Sequence, residues 1–140
     1  MADRDILLWP EPVDQQKVAA HFLVYGEPVA KERARTVSKD GQSHTYTPQK
    51  TKDAEAKVLA TYLEVGSYRV DMGDKNTKWG ARMIFHRRNW VKRDIDNLTK
   101  LIMDALNGRV WHDDSAIDEL LVWRGHDRQN PRTEVLCYIL

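Results

Sequence analysis

Asp94 to Asp114 reads D-I-D-N-L-T-K-L-I-M-D-A-L-N-G-R-V-W-H-D-D. Leu98, Leu101, Ile102, Ala105 and Leu106 recur at helical spacing, which predicts an amphipathic helix with one core-facing stripe. Asp96 is a suitable N-cap and Gly108 a suitable stop, so the helix is expected over Asp96–Asn107. At about 100° per residue, Asn97, Lys100, Asp104 and Asn107 share the opposite face. A helix with a single apolar stripe needs a layer to pack on, and the flanking segments supply strands.

Upstream, Val18–Tyr25 is apolar and rich in strand formers, and Gly26 and Pro28 end it. Lys31–Val37 reads as extended, with Lys31, Arg33 and Arg35 on one face if it is a strand. Asp40-Gly41 is a turn dipeptide, and Ser43–Tyr46 returns from it. Thr47-Pro48 opens a helix expected to run to about Glu64, with Ala54, Val58, Leu59, Tyr62 and Leu63 on its buried stripe. Asp71–Trp79 reads as a loop and Ala81–Arg88 as a strand. Leu120–Gly125 and Thr133–Leu140 are two more strands, expected to pair antiparallel through Asn130-Pro131. Residues 1–17 read as an N-terminal arm and 18–140 as one α+β domain, a mixed sheet with two main helices packed against it.

The chain of 140 residues is long enough for a core without cross-links, and one cysteine excludes an intramolecular disulfide. Cys137 lies in an apolar run and reads as core. With no membrane span and no signal peptide in the sequence, a cytoplasmic location is expected. Net charge is only +1, but the charges are segregated. Six bases and two acids lie from Lys31 to Lys52, and five bases with no acid from Arg82 to Arg93. Seven acids and two bases follow from Asp94 to Glu119. Basic segments beside an acidic cluster suit a site that grips phosphate and holds a divalent cation.

Asp94 and Asp96 lie two apart before the helix, a spacing that points both side chains one way in extended chain. Neighbouring carboxylates repel unless a cation or a proton joins them. Mg²⁺ takes oxygen ligands and suits a few carboxylates on a partly open site. Asp113 and Asp114 follow the helix after a short turn and are expected to fold back within metal-sharing reach of Asp94 and Asp96. Lys100 would then supply positive charge to a phosphate. Purely structural roles stay open for each: Asp96 as cap, Lys100 as an i, i+4 partner of Asp96 or Asp104, Asp113 and Asp114 as turn residues. An EF-hand fails because Leu98 and Ala105 fall at ligand positions, and neither a Cys-based zinc site nor a phosphate loop is present.

The segment D-I-D-N-L-T-K-L-I-M-D-A-L-N-G…D-D-S-A-I resembles the signature of the RusA family of Holliday junction resolvases, which pairs D-x-D-N-x-x-K with D-A-L and a later D-D. P-V-A-K-E-R-A-R at 28–35, followed by Y-T-P, resembles the same family's N-terminal half. The resemblance spans Phe22 to Tyr138. It implies a small homodimeric nuclease that binds four-way junctions and nicks two opposed strands with Mg²⁺, for which Mn²⁺ would substitute. It assigns metal-binding or catalytic roles to Asp94, Asp96 and Asp114 and an essential basic role to Lys100. Asn97 and Asp113 match as supporting positions, and Asp104 joins them from its place on the polar helix face. Lys31, Arg33, Arg35, Arg88, Lys92 and Arg93 are expected DNA contacts on charge placement. A phage or prophage gene in a bacterial host is implied, with recombination, fork repair or branch clearing as settings. The arm at 1–17 and the loop near Asp71–Trp79 are longer than the family leads one to expect. A less selective nuclease for branched DNA and a non-catalytic junction-binding protein remain alternatives.

Overall fold

A computed structural model of the chain describes residues 5–66 and 73–140. Six strands and two main helices are present among them: β1 (Val18–Tyr25), β2 (Arg35–Lys39), β3 (Gln42–Tyr46), α1 (Gln49–Thr61), β4 (Trp79–Arg87), α2 (Ile95–Leu106), β5 (Ile117–His126) and β6 (Arg132–Ile139). The architecture is α+β, with both helices against a mixed four-stranded sheet.

The sheet order is β1-β6-β4-β5. β6 runs antiparallel to both β1 and β4, and β5 runs parallel to β4. The expected β5–β6 pair does not form, because β4 lies between them. Burial gives the physical reason. β6 hides Val135, Leu136, Cys137 and Tyr138 in succession, so it needs cover on both faces and neighbours on both sides. β5 carries Asp118, Glu119 and Arg124 exposed and tolerates the sheet edge.

Period-two alternation divides the sheet between two cores. Ala81, Met83, Phe85, Val135 and Cys137 meet Val58 of α1, Tyr62 just after it, and Leu98, Leu101, Ile102, Ala105 and Leu106 of α2. Ile84, Leu136 and Tyr138 point the other way and meet Ile6 and Val18. Residues 5–17 are therefore not a free arm in their described part. Ile6 is buried, and Trp9 meets Trp123 edge-on at 4.4 Å between ring centroids. Arg82, only 3% exposed, ties this segment down by donating to the carbonyls of Ile6 (3.1 Å) and Trp9.

Several local boundaries differ from expectation. Asp94, in extended backbone, is the N-cap residue of α2, which puts Asp96 inside its first turn. Pro48 rather than Thr47 precedes α1, which ends at Thr61 and continues as a π-turn over Tyr62–Gly66. That widening rotates Leu63 off the buried stripe, and it is 59% exposed. Residues 27–34 form no strand, so Lys31, Arg33 and Arg35 do not share a strand face. Part of the expected 71–79 loop lies outside the described residues. β2 and β3 form a separate hairpin, exposed along its whole length, turning at Asp40 (φ 53°) and Gly41 (φ 75°). No helix among the described residues is long and apolar enough to cross a membrane.

Gly80 is a packing constraint in β4. A Cβ there would stand 2.2 Å from the Tyr138 ring. Gly80→Ala is expected to destabilise the fold by about 1–3 kcal/mol through overpacking, measurable as a lowered midpoint in urea or heat.

Candidate active site

The apolar stripe of α2 is buried, which turns Asn97, Lys100 and Asp104 away from the core. Lys100 and Asp104, one turn apart, form an ion pair at 3.2 Å. After α2 the chain bridges back at Asn107–Trp111, with Trp111 fully buried and its indole N–H on Asn107 Oδ1 at 2.8 Å. That anchor delivers Asp113 and Asp114 to the polar face of the helix. Asp114, at the start of a 3₁₀ turn over Asp114–Ala116, places Oδ2 at 2.8 Å from Lys100 Nζ.

Asp113 does not face the lysine directly. It caps the 3₁₀ turn, accepting from the Ser115 N–H at 3.2 Å. The hydrogen bond to Ser115 holds its carboxyl below the ordinary value. Asp94 accepts from Asn97 Nδ2 at 3.4 Å, and Asp96 Oδ1 accepts from the Asn97 backbone N–H at 2.9 Å. Neither Asp94 nor Asp96 has an ion-pair partner among the described residues. Because Asp94 is extended and Asp96 helical, their side chains do not share the strand-like face that the spacing of two implied.

Lys31 is placed differently from expectation. Its ammonium bridges Glu55 Oε1 at 3.1 Å and Asp104 Oδ2, and its side chain is 28% exposed. Its backbone N–H donates to the Asn97 carbonyl at 2.9 Å, which pins residues 30–32 beside α2. Burial alone would lower the Lys31 pKa, but its bonds to Asp104 and Glu55 outweigh that and leave it raised. Glu55 escaped the sequence reading. The available signal was its spacing from Thr51 and Val58, both buried on the face of α1 turned to α2.

The remaining basic candidates differ in exposure and pairing. Arg33, Arg88, Lys92 and Arg93 are exposed, while Arg35 pairs with Glu32 at 3.1 Å. Arg82 and Arg87, counted in the same basic run, are buried. Arg87 lies beside Glu27 Oε1 at 3.4 Å and donates to the Val91 carbonyl, bracing the loop before Asp94. Arg124 steadies that loop from β5 through the Arg93 carbonyl at 2.9 Å. A groove of about 410 Å³ runs beside it, with Lys31, Lys50, Arg87 and Arg93 among its walls.

Among the described residues no three acidic, histidine or cysteine side chains stand close enough to form a ready metal cage. Asp94, Asp96 and Asp114 thus form no such cluster, while Lys100 reaches Asp114. Uncompensated carboxylates repel, and the ammonium is the cation now beside Asp114. The donor chemistry itself suits a hard divalent ion: carboxylate oxygens on a solvent-facing helix entrance.

Carboxylates at the start of α2 and in the turn after it, a lysine on the same helix and exposed bases nearby in sequence are the residue types a phosphodiesterase site uses. The family model described as Endodeoxyribonuclease RusA matches residues 25–137. The chain belongs to the RusA family and is an endodeoxyribonuclease of the Holliday junction resolvase class. It is also 30% identical over 134 residues to the uncharacterized protein YqaN of Bacillus subtilis (strain 168), covering 82% of this chain and 92% of that relative.

Lys100 is raised above its ordinary 10.5 by its bond to Asp114 first and Asp104 second. Its pairing therefore contributes stability in full below pH 10.5 and loses it as pH climbs through the raised value. In the metal-free protein, NMR titration of the Lys100 ammonium is expected to give a midpoint above 10.5, falling in Asp114→Asn. An unchanged midpoint in that variant would place the ion pair out of use in solution.

Proposed function

We propose that this enzyme resolves four-way DNA junctions as a homodimer, hydrolysing one phosphodiester in each of two opposed strands with Mg²⁺. The observation that carries this reading is the 2.8 Å contact of Lys100 with Asp114. It joins the two halves of the acidic signature across the connection that follows α2. Asp94, Asp96 and Asp114 are the residues that would hold the ion, and Mn²⁺ would fit the same oxygens. A divalent ion held there lowers the pKa of a coordinated water and offsets charge on the scissile phosphate.

Lys100 contributes a positive charge to the phosphate oxygens. It is not a general base near neutrality, because its bonds to Asp114 and Asp104 raise its pKa above the ordinary lysine value. Asn97 steadies Asp94 through its amide, and Asp113 fixes the turn that presents Asp114. Arg33, Arg88, Lys92 and Arg93 are placed to take neighbouring phosphates, with Arg35 once it leaves Glu32. A two-fold dimer would set two such sites against two symmetry-related strands.

The deciding experiment mixes the purified chain with a synthetic four-way junction and Mg²⁺. Paired symmetric nicks are expected, abolished by EDTA and reduced by about 100-fold or more in Asp96→Asn. Equal cutting of plain duplex would reject junction specificity, and binding without cleavage would reject catalysis. The basic loop has its own signature. Replacing Arg88, Lys92 and Arg93 by Ala is expected to flatten the plot of log affinity against log salt by about 0.9 for each phosphate no longer neutralised. A parallel plot with the same slope would remove those residues from the DNA surface.

A further inference from the structure

Four ion pairs link five side chains of alternating sign: Glu55, Lys31, Asp104, Lys100 and Asp114. They come from α1, the irregular segment before β2, α2 and the turn after α2. Asp104 stands at the middle. One of its oxygens faces Lys31 and the other faces Lys100. Its side chain is the least exposed of the five at 17%.

An ammonium on a four-carbon stem is mobile, and an ordinary i, i+4 pair holds it only weakly. The pair here is not ordinary, because its acid is clamped from behind by Lys31, which Glu55 and the backbone bond to Asn97 clamp in turn. A divalent cation and the Lys100 ammonium would compete for the same Asp114 oxygens. When the cation takes Asp114, Lys100 needs a second partner within reach. Without one it either stays on Asp114 and opposes the cation, or swings into solvent.

We infer that Asp104, fixed by Lys31, is a positioning residue that keeps the Lys100 ammonium at the site when Asp114 turns to the cation. The inference rests on the metal-dependent reading above and adds roles for Asp104, Lys31 and Glu55 within it. Lys31 thereby acts inside the site rather than on the DNA surface. Of the three ammonium protons on Lys100, Asp104 would keep one and leave two for a phosphate oxygen.

The test is a double-mutant cycle on Mn²⁺ binding to the DNA-free full chain, by calorimetry, with Asp104→Asn, Lys100→Met and the pair. Asp104→Asn is expected to weaken Mn²⁺ binding by about threefold or more, since Lys100 then turns wholly to Asp114. In the Lys100→Met background the same change is expected to have almost no effect. Equal weakening in both backgrounds would make Asp104 a ligand or a remote charge and overturn the inference. So would no weakening in either background, or a wild-type chain that binds no Mn²⁺. Asp104→Ser repeats the cycle should the Asn variant not fold.

A second readout separates positioning from DNA grip. At saturating Mg²⁺, Asp104→Asn is expected to slow single-turnover cleavage about tenfold or more, with junction affinity in Ca²⁺ within about twofold. A matching loss of junction affinity would overturn the assignment. Cleavage of no branched DNA by the wild type would sink the functional reading alone, for the Mn²⁺ cycle needs no substrate.

Discussion

The seating of α2 on the sheet is the constraint from which the site follows. Leu98, Leu101, Ile102, Ala105 and Leu106 are all buried against strands β4 and β6 and helix α1. Each large apolar side chain gains about 1.5–3 kcal/mol on full burial. A partly exposed ion pair such as those on the polar face contributes less, since exposed pairs are worth about 1 kcal/mol or less. Rotation of the helix is therefore set by its apolar face, and the polar face has no say in where it points. Asn97, Lys100 and Asp104 look outward because their neighbours look inward. Chemistry at this surface is preorganised by packing on the reverse side of the same helix.

The second fixed element is the short return after α2. Gly108, at φ 75°, turns the chain, and Trp111 drops into the core against Trp79 with centroids 6.2 Å apart. Burying that indole, with its N–H satisfied by Asn107, anchors the return within a few residues of the helix end. Asp114 follows three positions later and meets Lys100. Asp114 and the Lys100–Asp104 pair of α2 thus share one surface through a buried tryptophan, although they are distant in sequence. Electrostatics opposes the approach of Asp114 to Asp104, and Lys100, paired with both, offsets that opposition.

Much of this was legible in the sequence. The amphipathic period of α2 marked both its buried stripe and its polar face, and the continuous run Val135–Ile139 marked a strand. The same run held a topological signal that alternation alone does not express. A strand apolar on both faces belongs inside a sheet, which is why β6 enters between β1 and β4 instead of pairing with the polar-edged β5. Charge runs were the least faithful guide. Lys31, Arg82 and Arg87 belong to basic stretches, yet one bridges two acids and two are buried with backbone or carboxylate partners. A one-dimensional charge count cannot distinguish a solvated base from one facing a partner brought in from far along the chain. Glu55 shows the converse, an acid on a buried helix face whose cation lies 24 residues away.

The pairing of Lys100 also bears on how it can work. Its ammonium stands against two carboxylates, which stabilise the charged form. A lysine in that setting is unsuited to abstract a proton from water, so in the proposed reaction it would supply fixed charge. Fixed charge assists only if it stays in place as negative charge develops on the phosphate oxygens. A flexible side chain facing bulk solvent does not meet that condition on its own. One whose partner is held from behind, as Lys31 holds Asp104, does. On the proposed reading, the paired side chains and the unpaired carboxylates are two parts of one arrangement: the pairs would hold the Lys100 ammonium, and the carboxylates would take a divalent ion.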